Sequence, residues 1–229
     1  MPVFPNLKAA FVHIPKTGGT SVVEALYNAD ISISKHTGLE PHILHKHERA
    51  LDIREYCDDI VYNSLFKFAV VRNPWSRIAS LFFYYQNLWK IEIKDEINCS
   101  NMCGNSFLSC TFEDWVMSLE KNYEKIITNK NIDNCGKEAD CPIISPLDQL
   151  GYVTDFGGFM FVNEIIKFEE IDAGWKAICE RLDIEHKPLS HKNKGPIDSY
   201  SSLYTNAMSE VIERLYLKEI DLFGYTRPV

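Results

Sequence analysis

The sequence predicts an α/β fold in which helices cover a central parallel sheet. Two stretches support this prediction, since each places a short unbroken apolar run before a turn and an amphipathic helix. The two runs are residues 8–14, "KAAFVHI", and residues 66–71, "FKFAVV". Unbroken apolar runs suit strands that are buried on both faces, and the repeated order of strand, turn and helix is typical of parallel sheets.

The first strand is predicted to end at Pro15, and a helix is predicted over Ser21–Asn28. Residues 30–47, which are rich in histidine, are expected to be irregular, and residues 48–57 are expected to be helical. The second strand is followed by "WSRIASLFFYYQNL", whose apolar residues recur at helical spacing. The order strand, turn, helix therefore occurs twice.

Residues 90–147 are interpreted as a Cys-rich insertion of loops and amphipathic helical pieces, including "FEDWVMSLEKN". Beyond the insertion, residues 159–171 predict another strand, "AGWKAICERL" a helix, "SHKNKG" a polar loop and "SEVIERLYLKEIDLFGY" one closing helix. The chain has 229 residues and no internal repeat, so a single domain over residues 1–229 is expected.

The charge balance limits the classes of partner. Twenty-four basic and 32 acidic residues give a net charge of −8, which argues against a general nucleic-acid or polyanion binder. No apolar run reaches the roughly 18 residues that a membrane span needs. The start of the chain lacks the pattern of a signal peptide, so a cytoplasmic location is expected, or a secretory lumen if a leader or anchor has been removed.

The seven cysteines are unevenly distributed. Cys57 and Cys179 lie in apolar-patterned segments and are expected to be buried. The other five are Cys99, Cys103, Cys110, Cys135 and Cys141. These five include no CxxC pair and no histidine at ligand spacing, so no metal site is expected. Disulfides in an exported protein and free thiols in a cytosolic one remain alternative readings of this cluster.

The turn after the first strand, "HIPKTGGTS", has the features of an anion site. A Gly-rich turn between a strand and a helix leaves backbone N–H groups at the helix N-terminus, where the helix dipole also favours negative charge. Candidate ligands of a phosphate or sulfate are Lys16, Thr17, Gly18, Gly19, Thr20 and Ser21. The nucleotide-hydrolase pattern GxxxxGK[ST] is not matched, because Lys16 precedes the glycines.

A second candidate anion site follows the second strand, in "VVRNPWSRIASLF". Arg72 directly follows the strand, Asn73-Pro74 is expected to form a turn, and Ser80 lies two turns into the next helix. The guanidinium group of an arginine can donate two parallel hydrogen bonds to a phosphate, and a nearby hydroxyl can donate a third, so this pair is suited to bind a second phosphate. Because the carboxyl ends of parallel strands meet at one edge of a sheet, the two anion sites are expected to share a crevice.

Together, "HIPKTGGTS" and "VVRNPWSRIASLF" closely resemble the two cofactor motifs of sulfotransferases that use 3′-phosphoadenosine-5′-phosphosulfate (PAPS), particularly the carbohydrate sulfotransferase-like branch of sulfotransferase family 2 type. The tail, "LSHKNK" with "LYTNAMSEVIERLYLKEIDLFGY", is similar to that family's C-terminal region. The resemblance covers residues 8–89 and 148–226 and leaves the Cys-rich insertion unmatched. It implies a P-loop-like three-layer fold and a sulfuryl transfer that needs no metal.

The resemblance also implies roles for individual residues. Lys16 to Ser21 would bind the 5′-phosphosulfate, and Arg72 with Ser80 the 3′-phosphate. Lys16 is expected to stabilise the leaving phosphate as adenosine 3′,5′-bisphosphate (PAP) departs. Lys194, in the polar loop, is a candidate for closing over the 3′-phosphate, with a solvated lysine as the alternative.

A general base is expected among the histidines between residues 36 and 47, because neutral imidazole can accept a hydroxyl proton near neutral pH. Family members often carry a catalytic histidine just before the helix that precedes the second strand. His47 fits that place best, followed by His45 and then His42. The expected acceptor is a hydroxyl group of a carbohydrate. Two alternatives are the same chemistry on a small-molecule or lipid alcohol, and a nucleotide-binding scaffold without turnover.

Overall fold

In the computed structural model, five strands among the described residues form one mixed sheet. The strands are β1 (Pro2–Phe4), β2 (Ala9–Val12), β3 (His42–Ile43), β4 (Phe66–Val71) and β5 (Glu164–Lys167), in the order β3-β1-β2-β4-β5. Strands β2, β4 and β5 are parallel, whereas β1 runs antiparallel to both of its neighbours. The α/β class and the two predicted apolar strands are confirmed. The structure describes residues 2–37, 42–43, 49–50, 54, 59–91, 110–128, 148–155, 157–190 and 200–227.

The predicted central parallel sheet is confirmed for β2, β4 and β5, and β1 adds an antiparallel strand beside β2 that the sequence analysis did not include. Only residues 5–8 separate β1 from β2, and the N–H of Lys8 donates to the carbonyl of Pro5 at 3.2 Å. A tight turn of this length can join only antiparallel strands, because a parallel connection needs a crossover of a dozen or more residues. The mixed sheet therefore follows from the short connection.

Eight α-helices have defined bounds in the described part of the chain. They are α1 (Gly19–Thr37), α2 (Asp59–Ser64), α3 (Pro74–Ile91), α4 (Phe112–Thr128), α5 (Leu150–Val153), α6 (Ile171–Arg181), α7 (Asn206–Leu215) and α8 (Leu217–Phe223). Ala50 and Arg54, the described residues nearest the middle of the helix predicted over residues 48–57, are also helical. Helix α1 extends well past the predicted end at Asn28. The single closing helix predicted for the C-terminal region is in fact two, because the backbone leaves the helical conformation at the buried Tyr216.

The chain divides into two compact units, each built from two segments. The sheet unit contains Met1–Arg72 and Gln149–Lys194, and the helical unit contains Asn73–Asp148 and Gly195–Val229. The sheet and helices α1, α2, α5 and α6 belong to the sheet unit. Helices α3, α4, α7 and α8 belong to the helical unit.

The core of the sheet unit joins one face of the sheet to helices α1 and α6. Phe68 and Val70 are two residues apart on β4, so their side chains point to the same face of the sheet. Leu26 of α1 and Trp175 and Ile178 of α6 pack in the same cluster. Fully burying a side chain of this size contributes about 1.5 to 3 kcal/mol. This packing fixes the start of α1 against the end of β2.

Helix α1 is also tied to the N-terminal turn by the fully buried carboxylate of Asp30. Its Oδ1 accepts hydrogen bonds from the backbone N–H groups of Asn6 (3.0 Å) and Leu7 (3.2 Å), and its Oδ2 accepts one from the Asn6 side-chain amide (2.8 Å). These bonds anchor α1 two residues past its predicted end at Asn28.

We expect Asp30→Ala to lower the free energy of unfolding by about 2 to 3 kcal/mol, because it leaves three donors without their acceptor. Urea denaturation would measure the change. Asp221→Ala removes an exposed carboxylate from α8 and should change stability by less than about 0.5 kcal/mol. Equal midpoints for the two variants would show that the buried bonds of Asp30 do not stabilise the fold.

The helical unit has its own core, which contains Trp75, Trp115 and Ile212. The indole N–H of Trp75 donates to the carbonyl of Ser209 at 3.3 Å, and the hydroxyl of Tyr204 donates to the carbonyl of Trp75 at 2.7 Å. Helix α4, which lies within the predicted insertion, contributes Trp115 to this core. That part of the interval is therefore an integral element of the unit, and the amphipathic pattern of "FEDWVMSLEKN" is confirmed as helical.

Two of the seven cysteines lie in described segments, and both are buried. Burial, and then the charge of Glu180, raises the pKa of the Cys179 thiol to about 11, so the thiol stays protonated at neutral pH. Cys110 packs in the core of the helical unit. Cys57, Cys99, Cys103, Cys135 and Cys141 lie outside the described residues. No helix in the described ranges is both long and apolar enough to cross a membrane.

Candidate anion-binding site

The carboxyl ends of β2, β4 and β5 lie at the same edge of the sheet, because these three strands are parallel and adjacent. Val12 at the end of β2 is paired with Ala69, while Val71 at the end of β4 is paired with Lys167. At this edge β2 is followed by the Gly-rich turn, β4 by Arg72 and β5 by Phe168. Ligand sites in open α/β sheets lie at such an edge.

The Gly-rich turn has a left-handed backbone at two positions, Lys16 (φ 67°) and Gly18 (φ 81°). Between them, the buried Thr17 donates its hydroxyl hydrogen to the carbonyl of Ile14 at 2.9 Å. Helix α1 begins at Gly19, and its first turn contains no acidic residue. A left-handed residue just before a helix turns successive N–H groups toward one side, which is the backbone arrangement that binds anions.

Both glycines of the turn are in close contact with aromatic side chains. A Cβ on Gly18 would lie 2.8 Å from Cε2 of Phe168, and one on Gly19 would lie 2.2 Å from Cδ2 of His13. His13 is itself buried, with its ring centroid 5.8 Å from that of Phe11. His13 therefore packs beside the Gly-rich turn. Space therefore requires glycine at both positions, and the left-handed backbone also favours it at Gly18.

We expect Gly19→Ala to destabilise the protein by about 2 to 3 kcal/mol, because the new methyl group overlaps the His13 ring. In a His13→Ala background the same substitution should cost at least about 1 kcal/mol less, since the space has been opened. Urea denaturation of the four proteins in this double-mutant cycle tests the prediction. Strict additivity of the two changes would contradict it.

Arg72 is held by contacts on its backbone and on its side chain. Its backbone N–H donates to Oε1 of Gln149 at 2.7 Å, and Nε2 of Gln149 donates to the Arg72 carbonyl at 2.8 Å. The guanidinium donates from Nη1 to the carbonyl of Lys16 at 3.2 Å, and it lies over the Phe168 ring at 4.4 Å from the centroid. The guanidinium therefore contacts the Gly-rich turn and the end of β5 at once.

The segment before the polar loop is attached to the start of α1. The hydroxyl of Ser21 donates to the carbonyl of Ser190, and the hydroxyl of Ser190 donates to Oε2 of Glu24 at 3.0 Å. The loop that carries Lys192 and Lys194 begins at the next residue and lies outside the described residues. Its starting point is fixed beside the Gly-rich turn.

The structure thus brings Lys16 to Ser21 together with Arg72 in the sheet unit. Ser80 is half-buried on α3 and belongs to the helical unit. His45, His47 and Lys194 lie outside the described residues, and His42 is described only as a backbone position on β3. Within the ranges that the structure describes, no group of three or more His, Cys, Asp or Glu side chains is placed to hold a metal ion.

Two residues of the site were not assigned these roles from the sequence. Phe168 was placed inside a strand predicted over residues 159–171, whereas β5 covers only Glu164–Lys167 and Phe168 is the first residue beyond it. The rule that functional residues follow parallel strand ends would have found Phe168 had the strand been bounded correctly. Gln149 is fully buried, and its amide is engaged with the Arg72 backbone.

Comparison with known proteins identifies the family of this chain. Searches of curated proteins and of solved structures gave no significant match. A family model described as "Sulfotransferase family" (Sulfotransfer_2) matches residues 1–226, which is almost the whole chain. The chain therefore belongs to the sulfotransferase family and is a PAPS-dependent sulfotransferase.

Proposed function

We propose that this enzyme transfers the sulfuryl group of PAPS to a hydroxyl of a carbohydrate and releases PAP. The observation that supports the donor assignment most strongly is the hydrogen bond from Arg72 to the Lys16 carbonyl, at 3.2 Å. It joins two cationic residues at the carboxyl edge of the sheet, and PAPS carries two separate anionic groups. The carbohydrate acceptor rests on the sequence resemblance.

In this proposal the 5′-phosphosulfate lies against the N-terminus of α1, where Lys16, Gly18, Gly19 and Thr20 make the direct contacts. The hydroxyl hydrogens of Thr17 and Ser21 are already donated to carbonyls of the chain, so these two residues act mainly by shaping the turn. Gly18 and Gly19 allow close approach of the donor because neither has a Cβ.

Arg72 would bind the 3′-phosphate, since a guanidinium fork matches the geometry of a phosphate group. Ser80 is retained as a second proposed ligand of this phosphate on the strength of the sequence motif alone. Lys194 lies four residues beyond Ser190, which is attached to the start of α1. Four extended residues span about 14 Å, so Lys194 is within reach of a donor bound at the turn.

The transfer itself is proposed to be an in-line displacement. The acceptor oxygen forms a bond to sulfur while the bond from sulfur to the 5′-phosphate oxygen breaks, and the acceptor proton passes to a histidine. Lys16 would stabilise the negative charge that develops on the leaving phosphate oxygen. As in phosphoryl transfer, positioning and electrostatic stabilisation should supply most of the rate enhancement, and Lys16 and Arg72 supply cationic charge without a metal.

The experiment that tests the function is release of PAP from PAPS in the presence of a panel of hydroxyl acceptors. The panel contains neutral and sulfated glycans, small phenols and alcohols, and a lipid alcohol. Turnover with a glycan supports the proposal, whereas turnover only with a small or lipid alcohol would replace the acceptor class. Binding of PAP without turnover on any acceptor would favour a scaffold.

His47 is proposed as the general base, with His45 and then His42 as alternatives. The pH–rate profiles of His47→Ala and His45→Ala separate them, because loss of the base should remove the acidic limb of the profile in one variant and not in the other. Unchanged profiles and rates in both variants would point away from these two histidines and toward His42 or a carboxylate.

A further inference from the structure

We infer that Phe168 is a positioning residue that holds the guanidinium of Arg72 for recognition of the donor's 3′-phosphate. This inference rests on the proposed function, because it assumes that Arg72 binds that phosphate. Phe168 itself is not proposed to contact the reacting atoms. Its role is to set the orientation of the Arg72 side chain, which is long and can adopt many rotamers.

Phe168 is the first residue after β5, at the same sheet edge as Arg72, which follows the neighbouring β4. The Arg72 guanidinium carbon lies 4.4 Å from the centre of the Phe168 ring, a distance typical of stacking between a cation and an aromatic face. Stacking fixes the plane of the guanidinium. The N–H groups of Arg72, which lie in that plane, are then aimed in a defined direction.

The ring of Phe168 is held in turn by the Gly-rich turn. Its Cε2 and Cδ2 atoms lie 2.8 Å and 3.0 Å from the position that a Cβ on Gly18 would occupy. Since Arg72 also donates to the Lys16 carbonyl, the ring, the guanidinium and the turn form one contact set. This arrangement holds Arg72 in place before a ligand binds, so less side-chain entropy is lost on binding.

The sheet unit contains a second stack that provides a matched control. The guanidinium carbon of Arg181 lies 4.5 Å from the centre of the Phe66 ring. Phe66 is the first residue of β4, whereas Arg72 follows the last one, so this stack lies at the opposite end of the same strand. Replacing either phenylalanine removes the same kind of interaction, but only Phe168 is beside the proposed donor site.

The test compares the dissociation constants of PAP and of AMP, which lacks the 3′-phosphate, by isothermal titration calorimetry. Wild-type protein should prefer PAP, and Phe168→Leu should reduce that preference by about tenfold, within the range expected for loss of a cation–π contact. Phe168→Tyr, which keeps a ring, should retain the preference, as should Phe66→Leu. Phe168→Met replaces Phe168→Leu if the leucine variant does not fold, as judged by circular dichroism.

The outcomes separate the inference from the function on which it rests. A wild-type protein that binds PAP no better than AMP would contradict the proposed role of Arg72. A wild-type preference for PAP that survives in Phe168→Leu or Phe168→Met, or a loss that affects PAP and AMP equally, would overturn the positioning role of Phe168 alone.

Discussion

Replacing Lys16 by glycine should lower sulfuryl transfer by about 10²- to 10³-fold while leaving the protein at least as stable as the wild type. The loss is expected because the side chain is proposed to stabilise charge on the leaving phosphate, and removing one such group has an effect of this size in other enzymes. The stability is expected to hold because Lys16 has a left-handed backbone (φ 67°), which glycine adopts without strain.

Lys16→Ala provides the comparison within the site, since alanine removes the charge but keeps the backbone strain. Both variants should lose turnover equally, and only the glycine variant should gain stability, by up to about 1 kcal/mol. Lys8→Gly is the matched control elsewhere, because the exposed Lys8 also has a left-handed backbone (φ 47°). PAP release and thermal unfolding measure the two effects. Turnover near the wild-type rate in both Lys16 variants would exclude the assigned role.

Arg72→Lys is expected to weaken PAP binding by about 10- to 100-fold, although the positive charge is kept. An ammonium group cannot reproduce the planar fork, the stacking on Phe168 and the bond to the Lys16 carbonyl at the same time. The affinity for AMP should fall much less, because AMP has no 3′-phosphate.

Arg181→Lys is the control for this prediction, since it alters a second arginine stack in the sheet unit. Its dissociation constants for PAP and AMP should match those of the wild type. If Arg72→Lys weakened the binding of PAP and AMP by the same factor, Arg72 would be acting on the turn as a whole and not on the 3′-phosphate.

The parts of the fold that the sequence predicts well are those whose determinants are local. An unbroken apolar run predicts the strand over residues 66–71, and apolar residues at helical spacing predict the helix after Pro74. Both elements are observed. The Gly-rich turn is also predictable from local sequence, because adjacent glycines between an apolar run and a helical pattern favour a tight turn. The anchoring of α1 by Asp30, beyond the predicted end of the helix, was missed because the partners of Asp30 lie 23 and 24 residues away.

The same distinction applies to the candidate site. Lys16 and Arg72 could be predicted as site residues because each lies in a short sequence motif. The contacts that hold Arg72 come from residues on other elements. Phe168 is one of several phenylalanines in an apolar stretch, and only the boundary of β5 distinguishes it from the others as a residue at a strand end. The paired hydrogen bonds of Gln149 link residues 77 positions apart, and such a pair leaves no periodic signal in a sequence.

The attachment of Arg72 to Gln149 has a consequence for the order of folding. The Gly-rich turn and β4 leave the ribosome 77 or more residues before the glutamine that fixes the arginine. At 5 to 20 residues per second this is a delay of about 4 to 15 s. Until β5 arrives, the apolar strand "FKFAVV" has an unpaired edge, which is a hazard for aggregation. A fragment that stops before Gln149 should therefore be recovered mainly as insoluble protein.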